Sequence, residues 1–135
     1  MSNVEKNFFN FKNKVLDQES KVLAIDFDGV IHKNSKGFHD GTIYDDIVEG
    51  TSEAIKKLSK EFKIIIFSCK ALPDRPLVDN KTGIELIWEW LKKNNIDSYV
   101  EEVTYKKPRA VYYIDDKAIR FENWQKVVRS INEKE

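Results

Sequence analysis

Hydrophobic residues fall into short runs along this chain, and polar segments separate one run from the next. The clearest run, Val22–Ile25, is followed directly by acidic residues. A continuous apolar run is typical of a strand that is covered on both faces in a parallel sheet. Such runs predict strands at about residues 21–26, 62–67, 98–103 and 110–114.

Apolar residues outside these runs recur at the spacing of helices that bury one face. The pattern predicts an N-terminal helix within residues 1–18, packed on the body, and a helix at about residues 50–61. Thr82 and Glu85 form the sequence pattern of a capping box, which predicts the start of a third helix. A last amphipathic pattern over residues 124–131 predicts a closing helix.

Strands and helices alternate along the chain, which predicts β-α-β units and a parallel sheet. We therefore expect one domain over residues 1–135, with an α/β fold arranged as a three-layer sandwich. Two segments interrupt the alternation. Residues 31–47 are polar and contain glycine, which predicts an extended loop or hairpin, and residues 69–81 contain two prolines, which predicts an irregular loop.

Composition narrows the classes of protein that fit. Lys and Arg total 23 and Asp and Glu total 23, so the neutral net charge gives no overall attraction to nucleic acid or acidic membranes. No apolar stretch is long enough to span a bilayer, and the first residues lack the apolar region of a secretory signal. The single cysteine, Cys69, rules out an intramolecular disulfide framework. We expect a cytoplasmic protein without a membrane partner.

Candidate chemistry begins where the first strand ends. Asp26 and Asp28 are one residue apart, so their side chains are predicted to point the same way at the carboxyl end of the strand. Gly29 allows a sharp turn directly after them. Open α/β sheets bind ligands at this end of their strands, and paired carboxylates are costly there unless a cation or a reaction uses them. This pattern predicts an active site.

Further polar residues follow or precede the other predicted strands. Ser68 follows the second strand, Lys107 precedes the last one, and Asp115 and Asp116 end the last one. The order Asp-x-Asp, Ser, Lys, Asp-Asp resembles the four motifs of the haloacid dehalogenase (HAD) superfamily. The resemblance covers roughly residues 20–125, with motif I at residues 26–30.

The resemblance implies a Rossmann-like parallel sheet and, from the short connections, no cap domain. Residues 31–47 leave room only for a flap, and residues 68–107 are filled by one loop, one helix and one short strand. A small capless phosphatase-like member has an open site. It accepts large substrates or takes a lid from a neighbouring subunit, so a homo-oligomer is one expectation.

The resemblance also assigns roles at the site. Asp26 is the expected nucleophile, which forms an aspartyl-phosphate, and Asp28 is the expected general acid and base. Ser68 is expected to hydrogen-bond a phosphoryl oxygen. Lys107 is expected to pair with the nucleophile and the phosphate, and Lys106 is the competitor for this role.

A divalent cation completes the expected machinery. The expected ligands are Asp26, Asp115 and Asp116, together with the backbone carbonyl of Asp28. Ligands that are all oxygen suit Mg²⁺, which binds through few carboxylates and keeps several waters. Asp116 is expected to bind either directly or through water.

Several basic and imidazole side chains lie in the predicted loops. Lys70 and Arg75 are candidates to bind further anionic groups of a substrate, and solvated surface charges are an equal alternative. His32 and His39 lie on the predicted flap, where contact with the leaving group is one interpretation and simple exposure to solvent is the commoner state for such histidines.

Together these features predict a Mg²⁺-dependent phosphomonoester hydrolase acting on a phosphorylated small molecule. One alternative is a phosphatase acting on nucleic-acid 3′ ends, which the neutral charge does not favour. Another is a non-catalytic HAD-like signalling or interaction module. Receiver domains use similar residues, but their acidic pair lies on the first strand and the phosphorylated aspartate on a later one. This chain has Asp-x-Asp first and Asp-Asp last, which disfavours a receiver domain. The sequence does not identify the substrate.

Overall fold

The computed structural model describes residues 2–5 and 21–133, and these form an α/β fold around a parallel sheet. All three strand pairs are parallel, and the strand order is β3-β2-β1-β4. The strands are β1 (Val22–Asp26), β2 (Lys63–Phe67), β3 (Val100–Thr104) and β4 (Tyr112–Ile114). The four predicted strands are therefore confirmed, and each observed strand begins and ends within two residues of the prediction.

Three helices that lie wholly within the described residues accompany the sheet, namely α1 (Thr51–Leu58), α2 (Gly83–Lys93) and α3 (Trp124–Glu133). The predicted capping box is present, because the Glu85 backbone N–H donates to the Thr82 hydroxyl (3.2 Å) and the Thr82 N–H donates to the Glu85 carboxylate (3.3 Å). Short 3₁₀ turns occupy Cys69–Ala71 and Asp97–Tyr99. The helix predicted within residues 1–18 lies largely outside the described residues.

The main core lies on one face of the sheet, between the sheet and the first two helices. Alternate residues of the strands supply the sheet side of this core, and apolar residues of α1 and α2 supply the other side. Its principal members are Leu23, Ile25, Ile64, Ile66, Ile55, Ile87 and Leu91. Each such side chain contributes roughly 1.5–3 kcal/mol when it is fully buried. The core therefore fixes the positions of the strand ends that carry the candidate site.

The edge strand β4 differs from the other three in its burial. Tyr112, Tyr113 and Ile114 are all exposed by more than a third. The connection from β3 to β4 runs through residues 105–111 without a helix, so no crossover helix covers this strand. Among the described strands it pairs with β1 alone, in a register that includes Ile25↔Ile114, and this pairing fixes where its final residues lie.

The two long connections are compact loops. Residues 31–47 form a hairpin-like flap, because Lys33 N–H donates to the Asp46 carbonyl (2.9 Å) and Val48 N–H to the Ile31 carbonyl (2.9 Å). Residues 69–82 contain the first 3₁₀ turn and an isolated bridge between Val78 and Lys81. In the part of the chain that the structure describes, no helix is long and apolar enough to cross a membrane.

Candidate active site

The carboxyl ends of β1 and β4 bring the two acidic motifs together. Because Ile25 pairs with Ile114, Asp26 and Asp115 follow side by side. From β1 the chain first builds the sheet in one direction, through β2 and β3, and then returns to place β4 on the other side of β1. Open α/β sheets bind ligands at such switch points. One carboxylate oxygen from each of Asp26, Asp115 and Asp116 lies within 4.8 Å of the others. The structure thus brings these three aspartates together, and their role as metal ligands stays a prediction.

Gly29 allows the β1 loop and the β4 loop to approach each other closely. Its φ is +83°, in the left-handed region that side chains rarely adopt. A Cβ at this position would also collide with the Asp116 carboxylate. The glycine predicted to turn the chain is therefore also needed for the approach of Asp116.

The acidic cluster changes the pKa of Asp26. Burial and then the neighbouring Asp115 carboxylate raise the pKa of Asp26 to about 6, although a hydrogen bond from the Phe27 N–H acts in the opposite direction. Asp116 and Asp28 raise it further. A cation held by oxygen ligands would relieve this repulsion, and Mg²⁺ suits such ligands. Exposed acidic groups are also common without a cation, so the cluster alone does not identify a metal site.

Asp28 lies in a different environment from Asp26. Its Oδ1 accepts hydrogen bonds from Lys70 Nζ (2.9 Å) and from His32 Nδ1 (2.9 Å). Burial pushes the pKa of Asp28 upward, but the hydrogen bonds from His32 and Lys70 outweigh it and lower the pKa below the ordinary value. The Asp28 carboxylate is not part of the three-aspartate cluster, so a metal role for Asp28 through its backbone carbonyl stays a prediction.

His32 is fully buried beneath Asp28, so the expectation of an exposed histidine is wrong for this residue. Its ring stacks on Phe27 with 5.2 Å between centroids. Its Nε2 lies 3.0 Å from the backbone N–H of Asp45. Because that N–H can only donate, Nε2 is the acceptor and Nδ1 carries the proton that bonds Asp28.

Lys70 is also buried, so the alternative of a solvated surface charge is wrong for this residue. Its ammonium forms a salt bridge with Asp28 and lies near two aromatic rings, 6.0 Å from the centre of Phe38 and 5.9 Å from the centre of Tyr44. Arg75 donates to the Gly41 carbonyl (3.1 Å) and joins the 69–81 loop to the flap. Direct contact of Arg75 with substrate stays a prediction, whereas the Lys70 side chain is only 1% exposed and is covered in this structure.

Ser68 lies where the sequence predicts it, directly after β2. Its N–H donates to the Thr104 carbonyl (3.0 Å), and its hydroxyl oxygen accepts from the Lys70 N–H (3.1 Å). The hydroxyl proton remains able to donate to another group. This geometry suits a donor to a phosphoryl oxygen, which stays a prediction.

Lys107 is exposed, and its ammonium lies 4.3 Å from the centre of the Tyr113 ring. Lys106 lies over the Tyr105 ring at 5.7 Å. Among the described residues, no salt bridge joins either lysine to an aspartate of the site. The structure therefore does not bring the motif III lysine into contact with the acidic cluster, and the choice between Lys106 and Lys107 stays open.

The main feature that sequence reasoning missed is the set of contacts beneath Asp28. His32 follows Asp28 by four residues, and Lys70 follows Ser68 by two. These spacings were the available signals. Neither spacing reveals that both side chains are buried and bind the same oxygen of Asp28, because this depends on contacts between distant parts of the chain.

Comparisons with known proteins give no further assignment. No family model matches the chain. No curated protein and no solved structure matches it significantly. The site must therefore be interpreted from its own geometry and motifs.

Proposed function

We propose that the protein is a Mg²⁺-dependent phosphomonoester hydrolase of the HAD superfamily. The observation that carries this proposal is the convergence of Asp26, Asp115 and Asp116 at the switch point of a parallel sheet, with Asp28 two residues beyond Asp26. The motif order supports the same assignment. The proposal includes a three-layer sandwich without a cap domain. Ala24 and Ile65 alternate with the core residues of β1 and β2, so they face the other side of the sheet, and their burial supports a layer on that side as well.

The chain's own residues supply the proposed chemistry in two displacements. In the first, an oxygen of Asp26 bonds to phosphorus, the bond from phosphorus to the leaving oxygen breaks, and Asp28 gives that oxygen a proton. In the second, water bonds to phosphorus and gives a proton to Asp28, and the bond between phosphorus and Asp26 breaks. Ser68 would donate to a phosphoryl oxygen in both steps.

The proposed cation site consists of Asp26, Asp115 and Asp116, whose oxygens fit the ligand preference of Mg²⁺. A bound Mg²⁺ would neutralise charge on the phosphoryl oxygens and among the carboxylates. Lys107 would have to leave the Tyr113 ring to pair with phosphate, and this movement is part of the proposal.

The test is phosphate release from a panel of sugar phosphates, nucleotides and a 3′-phosphorylated oligonucleotide, with and without Mg²⁺. The proposal expects Mg²⁺-dependent release by the wild type and none by Asp26→Asn. The matched control is Asp97→Asn, because Asp97 lies in the second 3₁₀ turn, outside the acidic cluster. Release that persists in Asp26→Asn, or that does not need a divalent cation, would contradict the proposal.

The same panel distinguishes the two classes of substrate. The neutral net charge favours a small molecule, whose turnover should change little with salt. A clear preference for the oligonucleotide, with affinity that falls steeply as salt rises, would favour a nucleic-acid end instead.

A further inference from the structure

Two buried donors converge on a single oxygen of Asp28. Lys70 Nζ and His32 Nδ1 both lie 2.9 Å from Oδ1. The hydrogen bonds of the described residues do not include one to Oδ2. One carboxylate oxygen is therefore occupied by two donors, and the other is left for a further partner.

The two donors and the carboxylate that they bind differ in their exposure to solvent. The side chain of His32 is 0% exposed and that of Lys70 is 1% exposed, whereas that of Asp28 is 17% exposed. Water or substrate can thus reach the carboxylate, but it cannot reach the donors beneath it. The donors can act on a reaction only through Asp28.

The histidine is held firmly in its place. Edge-on contacts with Tyr44 (5.3 Å) and Trp90 (5.7 Å) accompany its stacking on Phe27. Asp45 fixes the ring further, because its N–H donates to His32 Nε2 and its carbonyl accepts from Trp90 Nε1 (3.1 Å). The flap and α2 therefore both fix the direction in which Nδ1 donates.

We infer that His32 and Lys70 are positioning residues that hold Asp28 by Oδ1, so that Oδ2 accepts the proton of the water that attacks the phosphorylated Asp26. This inference rests on the proposed function. In this step the water oxygen bonds to phosphorus, its proton passes to Asp28 Oδ2, and the bond from phosphorus to Asp26 breaks. Misplacement of a reacting group by about 1 Å can cost about a hundredfold in rate.

The test compares two amides at position 32, using 4-nitrophenyl phosphate as substrate. The amide nitrogen of Asn can take the place of Nδ1, whereas that of Gln reaches instead toward the place of Nε2. The nitrophenolate leaves readily without a proton, so the first displacement does not depend on Asp28. Only the second displacement then reports how Asp28 is held.

We expect His32→Gln to lower kcat about tenfold to a hundredfold and to lower KM with it, leaving kcat/KM near the wild-type value. Phosphorylated protein should accumulate in acid-quenched samples, because the second step has become slow. His32→Asn should recover much of kcat. His39→Gln is the control, since His39 contacts the same Tyr44 ring (5.7 Å) but makes no bond to Asp28 among the described residues.

Equal kinetics for His32→Gln and His32→Asn would overturn the inference, as would losses in kcat/KM without accumulated phosphoprotein. Thermal unfolding identifies any variant that does not fold. In that case Lys70→Met and Lys70→Arg provide the second pair, and we expect accumulation in the Met variant and partial recovery in the Arg variant. A wild type that hydrolyses nothing would overturn the proposed function and this inference with it, whereas an active wild type with unaffected variants would overturn only the inference.

Discussion

Asp26 and Asp28 are separated by one residue, but their carboxyl groups lie in opposite electrostatic environments. Burial and the Asp115 carboxylate raise the pKa of Asp26 to about 6. The bonds from His32 and Lys70 overcome the effect of burial and lower the pKa of Asp28. Without a cation these directions are opposite to the proposed roles, because the proposed nucleophile Asp26 holds a proton more tightly than usual and the proposed acid Asp28 holds one less tightly. A divalent cation bound to the acidic cluster would lower the pKa of Asp26, so the proposed role of Asp26 requires the cation.

The raised pKa of Asp26 predicts how stability depends on pH when divalent cations are removed. The folded state binds the proton more tightly than the unfolded state, so Asp26 favours folding below about pH 3.8 and this contribution is lost as pH rises through about 6. Asp26→Asn, which keeps the shape without the charge, should therefore raise the unfolding temperature at pH 7.5 in EDTA.

This gain should shrink as the pH falls toward 4, which thermal unfolding at several pH values would measure. Mg²⁺ should then stabilise the wild type more than Asp26→Asn, because only the wild type retains all three carboxylates of the cluster. An Asp26→Asn variant that is less stable than the wild type at pH 7.5 would contradict this account of the cluster.

Gly29 offers a second prediction, with Gly37 as its matched control. Both glycines have positive φ, at +83° and +67°, so replacement by Ala should cost each about 1 kcal/mol of stability. Only at Gly29 would the new Cβ collide with the Asp116 carboxylate, since no atom lies within 4 Å at Gly37.

We therefore expect Gly29→Ala to raise the Mg²⁺ concentration needed for half-maximal phosphate release several-fold, and Gly37→Ala to leave it unchanged. Titration of Mg²⁺ against activity for the two variants measures the difference. Identical Mg²⁺ requirements would show that Asp116 does not need its close approach to the β1 loop.

The elements themselves were largely predictable, because buried strands and one-sided helices leave clear patterns in a sequence. The run at residues 22–25 marks β1, and its burial is confirmed. Helix α1 is shorter than predicted and ends at Leu58, because the following N–H groups bond three residues back, from Lys60 to the Lys57 carbonyl (3.3 Å) and from Glu61 to the Leu58 carbonyl (3.1 Å). Such an ending depends on local hydrogen bonds that apolar spacing does not report.

The capping box of α2 gives a prediction at the scale of one element. Thr82→Ala should lower the free energy of unfolding by about 1 kcal/mol, because the Glu85 N–H loses its acceptor. Thr82→Ser keeps the hydroxyl and should restore most of this loss. Urea denaturation of the three proteins measures the effect, and equal stability of the Ala variant and the wild type would exclude a stabilising role for the cap.

At the scale of the whole molecule, parallel pairing explains how much of the site the sequence could predict. Asp26 and Asp115 follow adjacent parallel strands, so their meeting followed from topology alone. Lys70 and Asp28 are 42 residues apart, and their contact depends on how the 69–81 loop packs beneath the flap. No pattern within a single segment carries that information.

The central claim is that Asp26 carries the phosphoryl group during turnover. The most direct measurement is to quench the protein in acid during turnover of 4-nitrophenyl phosphate with Mg²⁺, and to locate the covalent phosphoryl group by peptide mass spectrometry. The account predicts a phosphorylated Asp26 in the wild type and no phosphorylated peptide in Asp26→Asn. Turnover with no phosphoryl group on Asp26, or with a phosphoryl group on another residue, would contradict it.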